Sequence, residues 1–277
     1  MNFTESEIED FIARALAEDI GASDITSDAV IPQDARLSAE MRCREGLIVA
    51  GLDIALGVFR KLGRGCRIDV LMKDGQRAVA GAVLARIEGP ARSMLTAERT
   101  ALNIVQHLSG IATLTRAYVD QVAGTKAVIL DTRKTIPGLR RFAKYAASVG
   151  GAQNHRLGLY DGVLIKDNHI AVCGGIKPAI AVARAKGLSE FEIECDTLDQ
   201  VREAIDSGAR HLLLDNMGLA ALRDAVALAA GRAKLEASGG VTLEAVRAIA
   251  ETGVDFISVG RITQSAPAVD IGLDYTA

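Results

Sequence analysis

Hydrophobic and polar positions change rhythm partway along this chain. Over residues 6–17, Ile8, Phe11, Ile12, Ala15 and Leu16 recur at helical spacing, with acidic Glu5, Glu7, Glu9 and Asp10 toward the start. That spacing predicts a helix with carboxylates near its positive end. Ser23-Asp24-Ile25-Thr26-Ser27 reads as a polar, turn-rich linker. Residues 36–43 alternate strictly, with Leu37, Ala39, Met41 and Cys43 on one face and Arg36, Ser38, Glu40 and Arg42 on the other. Such two-faced alternation marks a half-buried strand of an antiparallel sheet. Residues 47–50, 66–73 and 79–87 read as further strands, Asp74-Gly75 as a turn, and 52–62 as a helix stopped at Gly63. Residues 1–108 are therefore expected to form an α+β, sandwich-like domain.

From Ser93 onward the pattern turns helical. Leu95, Leu102, Val105 and Leu108 lie near one face, and a separate helix is expected from about 111 to 122. Short apolar runs then alternate with helical patterns. Strands are expected at 127–131, 163–166, 191–195, 211–215, 234–237 and 256–259, and helices at 177–185, 198–205, 219–229 and 243–250. This alternation predicts a parallel sheet or barrel. The later strand ends, Glu194, Asp215, Ser238 and Gly260, recur roughly every 22 residues. Six strands fall short of a full barrel. The fold class expected is α/β: the first domain, then an incomplete α/β barrel over 109–265, its active site at the C-terminal ends of the strands. The tail, 266–277, is expected to pack back on the first domain.

Composition narrows the function classes. The chain has 277 residues, 49% hydrophobic and 24% charged, with a net charge of −3. It is long enough for one large or two ordinary domains, and bulk charge does not draw it to nucleic acid or an acidic membrane. Cys43, Cys66, Cys173 and Cys195 are never spaced C-x-x-C and no histidines cluster with them, so no zinc site is expected. Scattered thiols and an acidic start, Met1-Asn2-Phe3-Thr4-Glu5, point to a cytoplasmic protein without a signal peptide. No apolar run approaches the roughly 20 residues of a membrane span.

The polar chemistry sits at the predicted strand ends. Asp131-Thr132-Arg133-Lys134, Lys166, Glu194, Asp215-Asn216, Ser238-Gly239-Gly240 and Gly260 would converge on one rim of a barrel. Arg133, Lys134, Arg156 and Lys166, with His155 in Asn154-His155-Arg156, suggest a polyanion site, because guanidinium forks grip carboxylates and phosphates. Arg141 and Lys144 read as a solvated helix face, and His107 and His211 as structural. Ser238-Gly239-Gly240, followed by a predicted helix and paired with Ser258-Val259-Gly260-Arg261, has the form of a phosphate cradle. Glu194 and Asp215 end adjacent strands. They suit Mg2+ or a developing cation, or else salt bridges to Lys134 and Lys166.

Long runs in fixed order resemble the quinolinate phosphoribosyltransferase family over essentially the whole chain. They include Thr96-Ala97-Glu98-Arg99-Thr100-Ala101-Leu102-Asn103, Asp131-Thr132-Arg133-Lys134-Thr135 and Asn154-His155-Arg156-Leu157-Gly158-Leu159. Lys166-Asp167-Asn168-His169, Leu214-Asp215-Asn216-Met217 and Glu236-Ala237-Ser238-Gly239-Gly240 continue the series. The resemblance implies transfer of a phosphoribosyl group from phosphoribosyl pyrophosphate to quinolinate, with loss of CO2, in NAD synthesis. It implies a quinolinate pocket of Thr132, Arg133, His155, Arg156 and Lys166, completed by Arg99 from the partner subunit of a homodimer or an oligomer of dimers. It also implies catalytic roles for Lys134, Glu194 and Asp215, Mg2+ at Glu194 and Asp215, and a 5-phosphate at Ser238, Gly239, Gly240, Val259 and Gly260. Arg261 departs from the small residue common in the family at that place and is expected to touch the phosphate or point outward. Three other readings stay open at this point: a relative found with molybdate transport, a non-catalytic phosphosugar binder, and a barrel aldolase with Lys166 as Schiff-base lysine.

Overall fold

The computed structural model describes residues 3–276; Met1 and Asn2 of the N-terminal reading and Ala277 of the tail lie outside the described residues. The chain divides into two compact units. One runs to Leu114 and takes in Ser148–Gly150 and the segment from Ala266 onward; the other is Thr115–Ala147 with Gly151–Ser265.

The first unit opens with α1 (Glu5–Ile20). Thr4 caps it: its hydroxyl accepts the Glu7 N–H at 3.3 Å and the Glu7 carboxylate accepts the Thr4 N–H at 2.9 Å, which satisfies two donors the helix cannot. The expected linker is instead the start of a helix, α2 (Ile25–Val30), because Asp24 caps it through the Ser27 N–H at 3.0 Å. Next come β1 (Arg36–Cys43), β2 (Leu47–Ile48), α3 (Leu52–Leu62), β3 (Arg67–Val70), β4 (Arg77–Ala78) and β5 (Val83–Pro90). The strand expected over 79–87 begins late: the chain turns at Gly81 (φ +84°) and β5 starts at Val83. The strand β1 does alternate. Ala39, Met41 and Cys43 are buried, while Glu40 on the other face accepts Arg86 at 2.9 Å and pairs with Arg42.

The helix α4 (Ala91–Gln121) is one continuous element rather than two. Gly110 does not break it. A Cβ there would lie 2.1 Å from the carbonyl oxygen of Pro267, so the glycine allows a close approach. The last strand of the chain, β12 (Ile271–Thr276), joins this unit. It pairs antiparallel with β1, giving the order β12-β1-β5-β3.

The second unit alternates β6 (Val128–Leu130), α5 (Arg140–Gly150), β7 (Leu164–Ile165), α6 (Asp167–Cys173), α7 (Ile176–Ala185), β8 (Glu192–Cys195), α8 (Leu198–Asp206), β9 (His211–Asp215), α9 (Leu219–Ala229), β10 (Lys234–Ser238), α10 (Val246–Ala250), β11 (Phe256–Ser258) and α11 (Arg261–Gln264), all before β12. Its six strands pair in parallel in the order β6-β11-β10-β9-β8-β7. The first strand lies beside the last, as in a barrel, but β6 and β7 at the two ends do not pair. The barrel is incomplete. At its open edge Gln153 bridges to Leu130 beside β6.

Candidate active site

The site begins at a buried ion pair. Asp131 follows β6 and Lys144 lies on α5; both side chains are fully buried and they pair directly. Lys144 also donates to the His155 carbonyl at 2.9 Å, Asn154 donates to Asp131 at 2.7 Å, and the His155 N–H donates to Asp131 at 2.9 Å. Burial pushes the Asp131 carboxyl up and the Lys144 ammonium down from their ordinary values, and their mutual attraction opposes both shifts. The solvated-face reading of Lys144 is therefore wrong. Phe142, Ala143, Ala146 and Ala147 around it are buried too, and its charge is held by a carboxylate 13 residues away in sequence. Arg141 is half-buried. The network fixes the segment after α5 against the tip of β6.

A cavity of about 690 Å³ opens above this network at the strand tips. Thr132, Arg133, Lys134, His155, Arg156 and Lys166 line one side. Arg156 donates to the Gly162 carbonyl at 3.0 Å. Burial lowers its guanidinium pKa, and the neighbouring charge of Arg133 lowers it further. Two cations held close enough to repel favour an anion between or beside them. Lys166 is half exposed and pairs with the buried Glu194 at 2.8 Å. His155 spends both ring nitrogens within the protein. Its Nδ1 accepts the Arg156 N–H at 2.9 Å, which leaves the ring proton on Nε2, 3.0 Å from Glu192.

Asp215, Ser238, Gly239, Gly240, Gly260 and Arg261 line the other side. Parallel register sets Ser238 beside Asp215. Gly239 has φ +93°, and a Cβ there would come within 2.1 Å of Asn216 Oδ1; no other residue fits. Asn216 itself is left-handed at φ 54° and its N–H donates to the Ser238 carbonyl at 2.9 Å. Gly260 gives room to Lys134, whose Cδ would lie 2.9 Å from a Cβ at that position. The helix expected directly after Ser238-Gly239-Gly240 begins only at Val246 and has five residues. The cradle is thus a glycine turn offering backbone N–H groups rather than a helix terminus. Arg261 is exposed and lines the same cavity.

Three expected residues lie outside this lining, among them Glu194, which is buried and reaches it only through its 2.8 Å salt bridge to Lys166. Val259 is buried outside the lining, its N–H on the Leu130 carbonyl at 3.0 Å. Arg99 is exposed on α4, in the first unit. Asn216, seen in the sequence only as part of a strand end, lines the cavity, and so does Glu236, a fully buried carboxylate to which the sequence assigned no role. Glu236 had a visible signal, an acid inside the apolar run Leu235-Glu236-Ala237.

Among the described residues, two groups of side chains bring ligand atoms within 4.8 Å of one another and can share a divalent cation: Glu194, Asp196 and Asp215, and His155, Glu192 and Glu236. The first offers only hard oxygens, the donor set Mg2+ prefers.

Paired guanidiniums, a glycine turn and carboxylates at the strand tips of an open parallel barrel suit an enzyme acting on phosphorylated, anionic substrates. Residues 24–109 match the profile "Quinolinate phosphoribosyl transferase, N-terminal domain" and residues 111–274 match its C-terminal counterpart. The nicotinate-nucleotide pyrophosphorylase [carboxylating] of Mycobacterium leprae is 44% identical over 96% of both chains. The probable enzyme of that name from Bacillus subtilis is 43% identical over 94% of this chain and 90% of its own. Solved nicotinate-nucleotide pyrophosphorylases superpose closely: that of Francisella tularensis with TM-score 0.94 at 40% identity, covering 99% of this chain and 98% of its own, and that of Ehrlichia chaffeensis with TM-score 0.94 at 42%, covering 100% of both. The chain belongs to the quinolinate phosphoribosyltransferase family.

Proposed function

We infer that this chain makes nicotinate mononucleotide, pyrophosphate and CO2 from quinolinate and phosphoribosyl pyrophosphate, in NAD biosynthesis. Family membership over the whole chain carries the reaction. The cationic cavity supports the assignment of residues to it. Quinolinate is a diacid, and Arg133, Arg156 and Lys166, beside His155 and Thr132, offer what two carboxylates need. Ser238, Gly239 and Gly240, with Gly260 and Arg261, are assigned to the 5-phosphate, and buried Val259 backs them. The ring nitrogen attacks the anomeric carbon as pyrophosphate leaves. The ribose then carries positive charge, which the carboxylates of Glu194 and Asp215 favour, while Lys134 faces the departing anion. Loss of the 2-carboxylate leaves its electron pair on the carbon next to the charged ring nitrogen, where a proton replaces it.

Glu194 and Asp215 are assigned to Mg2+, which when bound would neutralise pyrophosphate oxygens. The catalytic domain is taken as 109–265. Residues 1–108, with the tail, are assigned to presenting Arg99 to the active site of a partner in a homodimer. Four free cysteines favour the reducing cytoplasm; among the described residues no helix is long and apolar enough to cross a membrane.

The direct test incubates the protein with quinolinate, phosphoribosyl pyrophosphate and Mg2+. Nicotinate mononucleotide is the expected product, and full turnover in excess chelator would overturn the Mg2+ assignment. Arg99→Ala and Lys166→Ala chains, inactive alone, are expected to regain activity when their subunits exchange. No recovery after verified exchange would exclude a shared site. The aldolase reading fails on Lys166, which is salt-bridged to Glu194 rather than held in the apolar pocket that frees an amine.

A further inference from the structure

Beneath the cavity the barrel interior holds carboxylates where such barrels are usually apolar. Glu192 on β8 lies beside His211 on β9, and Glu236 enters from β10. Glu192 is 6% exposed and Glu236 is 0%. His211 Nε2 stands 3.6 Å from Glu192 Oε1 and 3.7 Å from Glu236 Oε2. These distances are too long for hydrogen bonds. Ser258 and Glu192 both stand against the Glu236 carboxyl, yet no hydrogen bond of good geometry reaches Glu192 Oε1, either Glu236 oxygen or His211 Nε2 among the described residues. Each such orphan costs about 1–3 kcal/mol, and here they converge on one point.

We propose that His211 Nε2, Glu192 Oε1 and the Glu236 carboxylate form a site for a first-row divalent transition ion, of the Zn2+, Mn2+ or Fe2+ class, separate from the Glu194–Asp215 pair. Ligands about 2.0–2.2 Å from a tetrahedral ion stand about 3.3–3.6 Å apart, close to the separations seen. One imidazole with two carboxylates suits these ions, whereas Mg2+ takes oxygen. The ion's two charges balance two buried carboxylates, which otherwise must share a proton. His155 also stands within reach of both carboxylates, but it serves as the outer donor and leaves the ligand place to His211. Its Nδ1 is occupied by the Arg156 N–H, and its Nε2–H points to the second oxygen of Glu192 at 3.0 Å, the arrangement that orients a ligating carboxylate. Glu236 borders the cavity, which gives the ion a route in. Cysteine spacing could not reveal this site, because its ligands come from three strands. The proposal does not depend on the reaction assigned above.

The test loads the full chain with Zn2+, dialyses it exhaustively against metal-free buffer, and measures bound metal by mass spectrometry. About one equivalent is expected to remain on the wild type and on Asp215→Asn. His211→Ala and Glu236→Gln are expected to bind at least about tenfold more weakly, since even the loss of an outer-shell partner costs about 10–100-fold. Loading with Co2+ is expected to give the visible absorption of a four-coordinate ion, absent in His211→Ala. No retained metal on the wild type, or equal retention and equal absorption in His211→Ala, overturns the site. Should Glu236→Gln fail to fold by circular dichroism, the half-buried His211 position alone decides.

Discussion

Both units have apolar cores, but they differ in the polar groups they bury. The first packs Met41, Leu56, Phe59, Leu84 and Ile87, with buried polar groups limited to hydroxyls such as Ser109, which exchanges hydrogen bonds with Ala50. The second also buries Asp131, Lys144, Glu192, Glu194 and Glu236. An apolar interior gains from every methylene removed from water. A charged one costs free energy unless each charge finds a partner, and that cost is tolerated where the charges position a site. Substitutions should separate what the apolar and the charged interiors contribute.

The largest effect expected is Lys144→Met, which leaves the Asp131 carboxylate buried and unpaired. It should lower stability by about 3–5 kcal/mol in urea unfolding. Adding Asp131→Asn should recover most of that loss; no recovery would mean that volume, not charge, is at fault. Phe59→Ala should cost a comparable 3–5 kcal/mol yet leave the KM for quinolinate unchanged. A large KM shift there would erase that separation. Arg133→Ala should do the reverse, weakening quinolinate binding by about 3 kcal/mol in titration calorimetry, with an unchanged melting temperature. The smallest change expected is at Asp24, where Asp24→Ala should cost about 1 kcal/mol through the lost cap. Hydrogen bonds from the Ser27 hydroxyl, then from its N–H and from Thr96, hold the Asp24 carboxyl down at about 2. Because the folded value is depressed, its stabilisation is present above the ordinary carboxylate range and lost as pH falls toward about 2. Asp24→Asn should flatten that part of the acid-unfolding profile, and an unchanged profile would assign the effect elsewhere.

Much of this was legible in the sequence because it repeats a simple period. The alternation of 36–43 and the apolar runs ending at Asp215 and Ser238 state their strands outright. The misses share a different cause. Asp24 becomes a cap only because Ser27 turns its N–H and hydroxyl back toward it, Gly110 is a glycine inside a helix because Pro267 approaches it, and Lys144 is buried because Asp131 waits inside. Each depends on a partner that the local pattern does not display. The cationic half of the cavity was legible as charges at strand ends. Glu192 and Glu236 were not singled out, since an acid within an apolar strand discloses its neighbours only once the strands are side by side.

Strand order has a consequence for how the molecule comes into being. β6 takes its partner from β11, and β1 takes one of its partners from β12. Each sheet therefore stays unfinished until nearly the whole polypeptide has left the ribosome, with a bare edge exposed meanwhile. Such long-range closure slows assembly and invites aggregation, so this chain should lean on chaperones during synthesis.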